Sequence, residues 1–159
     1  MADFARAQIA SGADVIGVGD SICSQLPPDV YAELVAPRQQ RLFEAIKAAG
    51  AHTRLHVCGD STHLLPHIKK LGIEILDIDH LVDIEMVREE VGAKMVLAAN
   101  LDPVADLLQG SPLTIRRKVK ETYARIGNPM IIAAGCEIPI DTPQENVAAL
   151  CEPVAYVKD

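Results

Sequence analysis

Aromatic side chains and runs of positive charge are scarce in this sequence of 159 residues. The first scarcity restricts what fills the core, and the second restricts the partners. Tryptophan is absent and aromatic residues make up 3%, so aliphatic side chains must fill the core. The formal net charge is −7 and no Lys/Arg cluster stands out, which argues against nucleic acid or an anionic membrane as a partner. No apolar run approaches the ~20 residues that a membrane span needs. The N-terminus also lacks the basic start and apolar block of a secretory signal.

Cysteine occurs four times, at Cys23, Cys58, Cys136 and Cys151. An even number allows two disulfides. However, apolar residues make up 49% of the chain, which is typical of a domain with a real core rather than of a small, loop-rich secreted scaffold. We therefore expect a reducing cytoplasmic location, with thiols left free for metal binding or chemistry.

Five short apolar runs alternate with helical patterns along the chain. Each run is rich in Val, Ile, Leu or Ala and nearly continuous, as strands of a parallel sheet are when both faces are covered. The predicted strands are residues 14–19, 53–57, 74–78, 95–99 and 130–134. The predicted helices, most of them followed closely by glycine, are residues 1–12, 28–49, 61–71, 83–91, 103–108, 112–126 and 142–150.

This strict alternation predicts a parallel α/β fold of the (β/α)₈ TIM-barrel type, in a single domain over residues 1–159. The first strand leads into Gly-Val-Gly-Asp-Ser rather than a glycine-rich phosphate-binding motif, so a dinucleotide-binding fold gains little support. A closed barrel needs eight strands and roughly 250 residues, whereas this chain has about five strands. We expect a partial barrel, either a piece of a longer barrel or one completed by another chain. Its open sheet edges favour a homo-oligomer that covers them.

Polar side chains stand where each predicted strand ends. In a βα-barrel these carboxyl ends converge on one mouth, where active sites lie. The side chains are those of Asp20 and Ser21, His56 and Cys58, Asp77, Asp79 and His80, Asn100 and Asp102, and Cys136 and Glu137. We expect Asp20, Asn100, Asp102 and Glu137 to contact the substrate or the metal ligands. For Asp102, capping of the helix that begins at residue 103 is an equally good interpretation.

His56, Cys58 and Cys136 are the candidates for a zinc site. His56 and Cys58 are two residues apart on an extended segment, so both side chains point to the same face. Imidazole and thiolate are preferred zinc ligands, and three protein ligands with an open fourth position describe a catalytic site. The alternative is that the cysteines pack as small apolar groups. His63 and His67 also have a metal-binding spacing on a helix, but their place beyond the strand end favours solvent exposure or helix packing.

Three motifs carry a resemblance to a known family. Residues 55–59 (LHVCG), 99–103 (ANLDP) and 133–150 (AAGCEIPIDTPQENVAAL) resemble the uroporphyrinogen decarboxylase superfamily, and the similarity runs over almost the whole chain. The resemblance implies that the chain is the C-terminal portion of that family's barrel. Decarboxylases of the family are expected to have Gly-His where this chain has Gly135-Cys136. The pattern is instead similar to the zinc-dependent methylcobalamin:coenzyme M methyltransferase-like branch.

That branch implies a particular chemistry. A zinc-bound substrate thiolate, rather than a protein nucleophile, takes the methyl group of a methylated corrinoid. The resemblance thus implies Zn²⁺ and methylcobalamin as cofactors, a small thiol acceptor such as coenzyme M, and a corrinoid carrier protein as a partner. The cobalamin-independent methionine synthases are similar too, and their additional acidic ligand corresponds best to Asp79. The alternative for Asp79 is to orient His56 through a hydrogen bond.

Two other functions are open at this point. A tetrapyrrole decarboxylase needs no metal but needs arginines for its polycarboxylate substrate. The only arginine near the mouth, Arg54, is expected to point outward. The second alternative is a non-catalytic zinc-binding module, because part of a barrel lacks a complete site.

Overall fold

The structure is a computed structural model, and it describes residues 1–152. Residues 153–159, at the end of the predicted domain, lie outside the described residues. A single sheet of five parallel strands, in the order β1-β2-β3-β4-β5, forms the centre of the molecule. The strands are β1 Val15–Asp20, β2 His52–Val57, β3 Ile75–Ile78, β4 Val96–Leu101 and β5 Met130–Ala134. All five predicted strands are therefore confirmed, with only small shifts at their ends.

Helices connect consecutive strands, as parallel pairing requires. From α1 before β1 to α7 after β5, the helices are α1 Ala2–Ala10, α2 at 28–48, α3 at 62–68, α4 Ile84–Val91, the π-helical α5 Pro103–Leu108, α6 Pro112–Ile126 and α7 Gln144–Leu150. α2 is continuous but becomes π-helical at Tyr31–Val35. This wide stretch ends just before Pro37, which has no N–H to donate to the preceding turn. The helix predicted at 61–71 is longer than the observed α3.

The two faces of the sheet differ in burial. Along β2, Thr53, Leu55 and Val57 are buried, and the two apolar residues belong to the core that the helices cover. Arg54 and His56 alternate onto the opposite face, where both are half-buried. The expectation that Arg54 points outward, away from the predicted site, is therefore wrong. Arg54 lies two residues before His56, so strand periodicity places both on one face.

The core is mainly aliphatic, as the composition predicts. Tyr31 and Phe43 are the aromatic residues among the large, fully buried side chains of residues 1–152, and the others are leucine and isoleucine. A smaller second cluster joins α5, α6 and α7 through residues such as Leu107, Ile115 and Ala149. Within residues 1–152, every helix is too short or too polar to cross a membrane.

Candidate metal centre

The three side chains predicted to bind zinc lie together at the carboxyl edge of the sheet. His56 is on β2, Cys58 follows that strand directly, and Cys136 lies just beyond β5. The Nε2 atom of His56 is 3.2 Å from Sγ of Cys58 and 3.8 Å from Sγ of Cys136. The two sulfur atoms are 3.8 Å apart, and both cysteines are free thiols. Each of the three side chains is half-buried.

This triangle of ligand atoms fits a zinc ion. Tetrahedral zinc, with Zn–S bonds of ~2.3 Å and Zn–N bonds of ~2.0 Å, holds two sulfurs about 3.8 Å apart and a sulfur and a nitrogen about 3.5 Å apart. The observed distances of 3.8, 3.8 and 3.2 Å follow this pattern, with the His56–Cys58 distance somewhat short. Two thiolates and one imidazole also balance the charge of Zn²⁺. The donor set and its spacing therefore suit the predicted metal.

Sheet curvature brings the two sulfurs together. β2 and β5 have β3 and β4 between them. Neighbouring strands are ~4.8 Å apart, so β2 and β5 would lie about 14 Å apart in a flat sheet. Because Sγ of Cys58 and Sγ of Cys136 are 3.8 Å apart, the sheet and the loop beyond β5 must curve towards the face that carries Arg54 and His56. An arc of a barrel has this shape.

A glycine stands next to each cysteine at a place of close approach. At Gly59, where φ is +81°, an added Cβ would lie 2.8 Å from Oγ of Ser24. At Gly135 an added Cβ would lie 2.3 Å from the backbone nitrogen of His80. The second clash is with backbone, which cannot move aside as a flexible side chain can. Gly135 therefore lets the segment that carries Cys136 pack directly on the loop after β3.

Asp79, the predicted fourth ligand, does not join the cluster. Its Oδ2 accepts the N–H of Gly59 at 2.8 Å, and its Oδ1 accepts the N–H of Leu81 at 3.1 Å. Its oxygens are not among the ligand atoms that meet at the centre. The carboxylate instead holds the backbone directly after Cys58, so the geometry favours a supporting role over ligation.

Asp77, rather than Asp79, lies against His56. The parallel register pairs the two residues, and Nδ1 of His56 is 3.5 Å from Oδ2 of Asp77. The same oxygen accepts Nε of Arg54 at 3.0 Å and Nη2 at 2.5 Å. The Asp77 carboxylate is the main cause that raises the pKa of His56 to about 10, while burial acts in the opposite direction. Because a metal needs the neutral imidazole, the metal and the proton compete for Nε2.

Asp20, predicted to contact the substrate, belongs to a network at the end of β1. Its Oδ2 accepts the Cys23 thiol at 2.6 Å and Nε2 of Gln39 at 2.8 Å. The Oε1 of Gln39 accepts the Tyr31 hydroxyl at 2.6 Å. Burial, assisted by the hydrogen bond to Asp20, raises the pKa of Cys23 to about 12. The network ties β1 to α2, and this favours a structural role for Asp20.

The other three predicted substrate residues differ in how their polar atoms are used. Asn100 donates to two backbone carbonyls of the segment after β3, at 2.8 and 3.3 Å. Asp102 caps α5, because its Oδ1 accepts two N–H groups of the first turn at 2.8 and 2.9 Å. Glu137 is exposed and lines a cavity of about 330 Å³ together with His56, Cys136 and Arg54. Of the three, Glu137 is the residue with a carboxylate free to face a ligand there.

Of the two histidines of α3, His63 is exposed and His67 packs against another helix, as expected. His63 Nε2 hydrogen-bonds the backbone carbonyl of Leu26 at 3.0 Å. The ring of His67 meets the ring of Tyr31 edge-on, with the ring centres 6.2 Å apart. Neither side chain takes part in the cluster of metal-capable groups.

The sequence placed Asp77 at the mouth without a role, and it placed Arg54 outside the site. Strand periodicity contained the signal, because Arg54 precedes His56 by two residues and so shares its face. For Asp77 the signal needs the pairing register of β2 and β3, which the sequence does not show directly.

The chain belongs to the uroporphyrinogen decarboxylase family, because residues 1–156 match the family described as Uroporphyrinogen decarboxylase (URO-D). A uroporphyrinogen decarboxylase of Trichormus variabilis is 36% identical over 154 residues, which are 96% of this chain and 43% of that protein. The methylcobamide:CoM methyltransferase MtbA of Methanosarcina mazei is 30% identical over 152 residues, 94% of this chain and 44% of that protein. A solved structure described as a methyltransferase from Methanosarcina mazei matches with a TM-score of 0.84 and 28% identity, over 93% of this chain and 43% of that one.

These comparisons confirm the predicted superfamily and the partial TIM-barrel fold. The chain spans less than half the length of each of these relatives. That it is the C-terminal portion of the barrel stays a prediction. The relatives include both decarboxylases and a methyltransferase, so membership of the family alone does not decide the reaction.

Proposed function

We propose that this chain carries the zinc centre of a methyltransferase that moves a methyl group from a methylated corrinoid to a thiol acceptor such as coenzyme M. The observation that carries the proposal is the triangle of His56 Nε2, Cys58 Sγ and Cys136 Sγ, with edges of 3.2 to 3.8 Å. The resemblance to MtbA and to the solved methyltransferase supports the same branch.

Zinc held by His56, Cys58 and Cys136 supplies positive charge that favours the deprotonated form of an acceptor thiol at neutral pH. The chain contributes the ligands and the adjoining cavity of about 330 Å³, with Glu137 at its exposed side. In the reaction a carbon–sulfur bond forms as the cobalt–carbon bond breaks. Both electrons of the broken bond stay on cobalt, and the proton of the thiol goes to solvent. No protein nucleophile is needed.

The rest of the barrel and a carrier protein belong to the same proposal. The chain offers five strands of an arc, and we place it as the C-terminal portion of a TIM barrel. The edge strands β1 and β5 then pair with further strands, from the same barrel or from a second copy. A corrinoid carrier protein presents the methyl group at the mouth formed by the carboxyl ends of the strands.

Two measurements on the 159-residue chain test the proposal. Metal analysis of the purified protein is expected to find about one zinc per chain, as three protein ligands at one centre predict. Loss of the methylcobalamin absorbance is expected only when coenzyme M and the protein are both present. A Cys136→Ser variant serves as the control for both measurements. Zinc without demethylation would contradict methyl transfer by this chain alone, and absence of zinc would contradict the proposed metal centre itself.

One observation favours decarboxylation as a second candidate. Arg54 lies on the same face as His56, where an arginine can bind a carboxylate of a tetrapyrrole. The guanidinium is already paired with Asp77, however, which reduces its charge towards a substrate. Decarboxylation predicts that a porphyrinogen polycarboxylate binds equally well with and without a zinc chelator, whereas the methyltransferase proposal predicts no such binding.

A further inference from the structure

We propose that Asp77, held in place by Arg54, is the positioning residue that orients His56 towards the two cysteines. This inference rests on the metal centre proposed above. It concerns the imidazole as a ligand, and in particular which ring nitrogen faces the metal.

The two nitrogens of His56 have different surroundings. Nε2 faces the sulfurs of Cys58 and Cys136 at 3.2 and 3.8 Å. Nδ1 is buried and makes no hydrogen bond, and Oδ1 of Asp77 is likewise buried without a partner. Nδ1–H is a donor and the carboxylate oxygen an acceptor, and the nearer Asp77 oxygen, Oδ2, is already 3.5 Å from Nδ1. A small rotation pairs them, and this fixes the tautomer in which Nε2 is free to bind metal.

Arg54 determines where the Asp77 carboxylate points. Its Nε and Nη2 both donate to Oδ2, at 3.0 and 2.5 Å. The Asp77 side chain is 8% exposed and that of Arg54 is 41% exposed, so the carboxylate is the sheltered partner of this pair. With Oδ2 held in this way, the carboxylate stays beside His56, and its unpartnered Oδ1 offers a further acceptor there. Arg54 therefore holds Asp77, Asp77 orients His56, and His56 binds the metal.

The same two strands provide a matched control at their other end. His52 opens β2, and its Nδ1 lies 2.7 Å from Oε1 of Glu74, directly before β3. This pair has the same chemistry as His56 and Asp77. It is exposed, however, with 66% and 40% of the two side chains accessible, and no cysteine belongs to it. Glu74→Gln removes a carboxylate from a histidine pair without touching the metal centre.

The experiment measures zinc affinity by chelator competition and the visible spectrum of the Co²⁺-loaded protein. Asp77→Asn is expected to weaken zinc binding roughly 10–100-fold, the usual effect of losing a group that orients a metal-binding histidine. The Co²⁺ d–d bands should lose intensity or shift as the geometry changes. Arg54→Gln should give a smaller change in the same direction, and Glu74→Gln should leave affinity and spectrum unchanged.

A double variant separates positioning from net charge. Arg54→Gln/Asp77→Asn leaves the summed charge of the pair at zero, so a positioning role predicts that affinity stays low. Wild-type affinity in the double variant, or in Asp77→Asn itself, overturns the inference while leaving the proposed function intact. Failure of the wild-type chain to bind zinc or Co²⁺ overturns both. If Asp77→Asn does not fold, as judged by unfolding in urea, then Arg54→Gln carries the test.

Discussion

Two regions at the carboxyl edge of the same sheet hold cysteine in contrasting surroundings. Beyond β1, Cys23 is buried and bonded to Asp20, and every partner in that network is another side chain or backbone group of the chain. Beyond β2 and β5, Cys58 and Cys136 are half-buried and face each other and His56. The first region is closed on itself. In the second, one nitrogen and two sulfur atoms face one another at 3.2 to 3.8 Å.

The difference shows how to separate a structural cysteine from a ligand. A buried polar group that is hydrogen-bonded within the protein is satisfied without a ligand. Convergent soft donors, with a buried nitrogen still lacking a partner behind them, do have that capacity. The presence of cysteine does not by itself tell a structural thiol from a metal ligand. The hydrogen bonds of the neighbouring side chains distinguish the two regions.

The largest expected contrast is in thiol reactivity. With its pKa raised from 9.0 to about 12, Cys23 has about a thousandfold less thiolate at pH 8 than an ordinary thiol. Its alkylation by iodoacetamide should therefore be far slower than that of the exposed Cys151, and should keep rising with pH towards 12. Mass spectrometry of timed digests measures both rates. Equal alkylation rates for Cys23 and Cys151 in the folded protein would contradict the raised pKa of Cys23.

Replacing one sulfur in each region tests the comparison directly. Cys136→Ser is expected to weaken zinc binding by more than the roughly 10–100-fold that follows loss of a supporting group, because a ligand itself is removed. Cys23→Ser should retain zinc with wild-type affinity, since its thiol serves only the network around Asp20. Chelator competition gives both values. Similar losses in the two variants would show that the regions are not independent.

Gly135→Ala tests whether close packing positions Cys136. The added Cβ would lie 2.3 Å from the His80 backbone nitrogen, so the segment after β5 must shift. We expect zinc affinity to fall about tenfold or more. Gly17→Ala separates a clash from the mere loss of a glycine, because Gly17 lines the same cavity but nothing lies within 4 Å of a Cβ there and φ is not positive. Unchanged affinity in Gly135→Ala, with the fold retained, would contradict the role of this contact.

The smallest effect is expected from Tyr31→Phe. This change removes the hydroxyl that Gln39 accepts in the closed network, and it leaves a buried acceptor without its partner. The free energy of unfolding should fall by about 1–3 kcal/mol, while zinc affinity stays the same. Urea unfolding and chelator competition on the same preparation measure the two quantities. A weakened metal site would mean that the network supports the centre as well as β1.

The sequence predicted the strands, the fold type and the meeting of His56, Cys58 and Cys136, because periodicity and convergence of strand ends are general. It did not predict how neighbouring polar groups divide their roles. Asp79 and Asn100 are engaged by loop amides and carbonyls whose positions depend on turn geometry. Asp77 meets His56 through a register that only the paired strands reveal.

The bend that unites the ends of β2 and β5 has a mechanical consequence. A cation bound there spans the chord of the arc and joins strands that are not hydrogen-bonded neighbours. Unrolling of the arc and release of the ion are then one linked equilibrium, and each must influence the other by the same factor. Metal occupancy thus depends on the curvature of the sheet. Further strands that pair with β1 or β5 and hold the sheet curved should therefore raise the affinity for the ion.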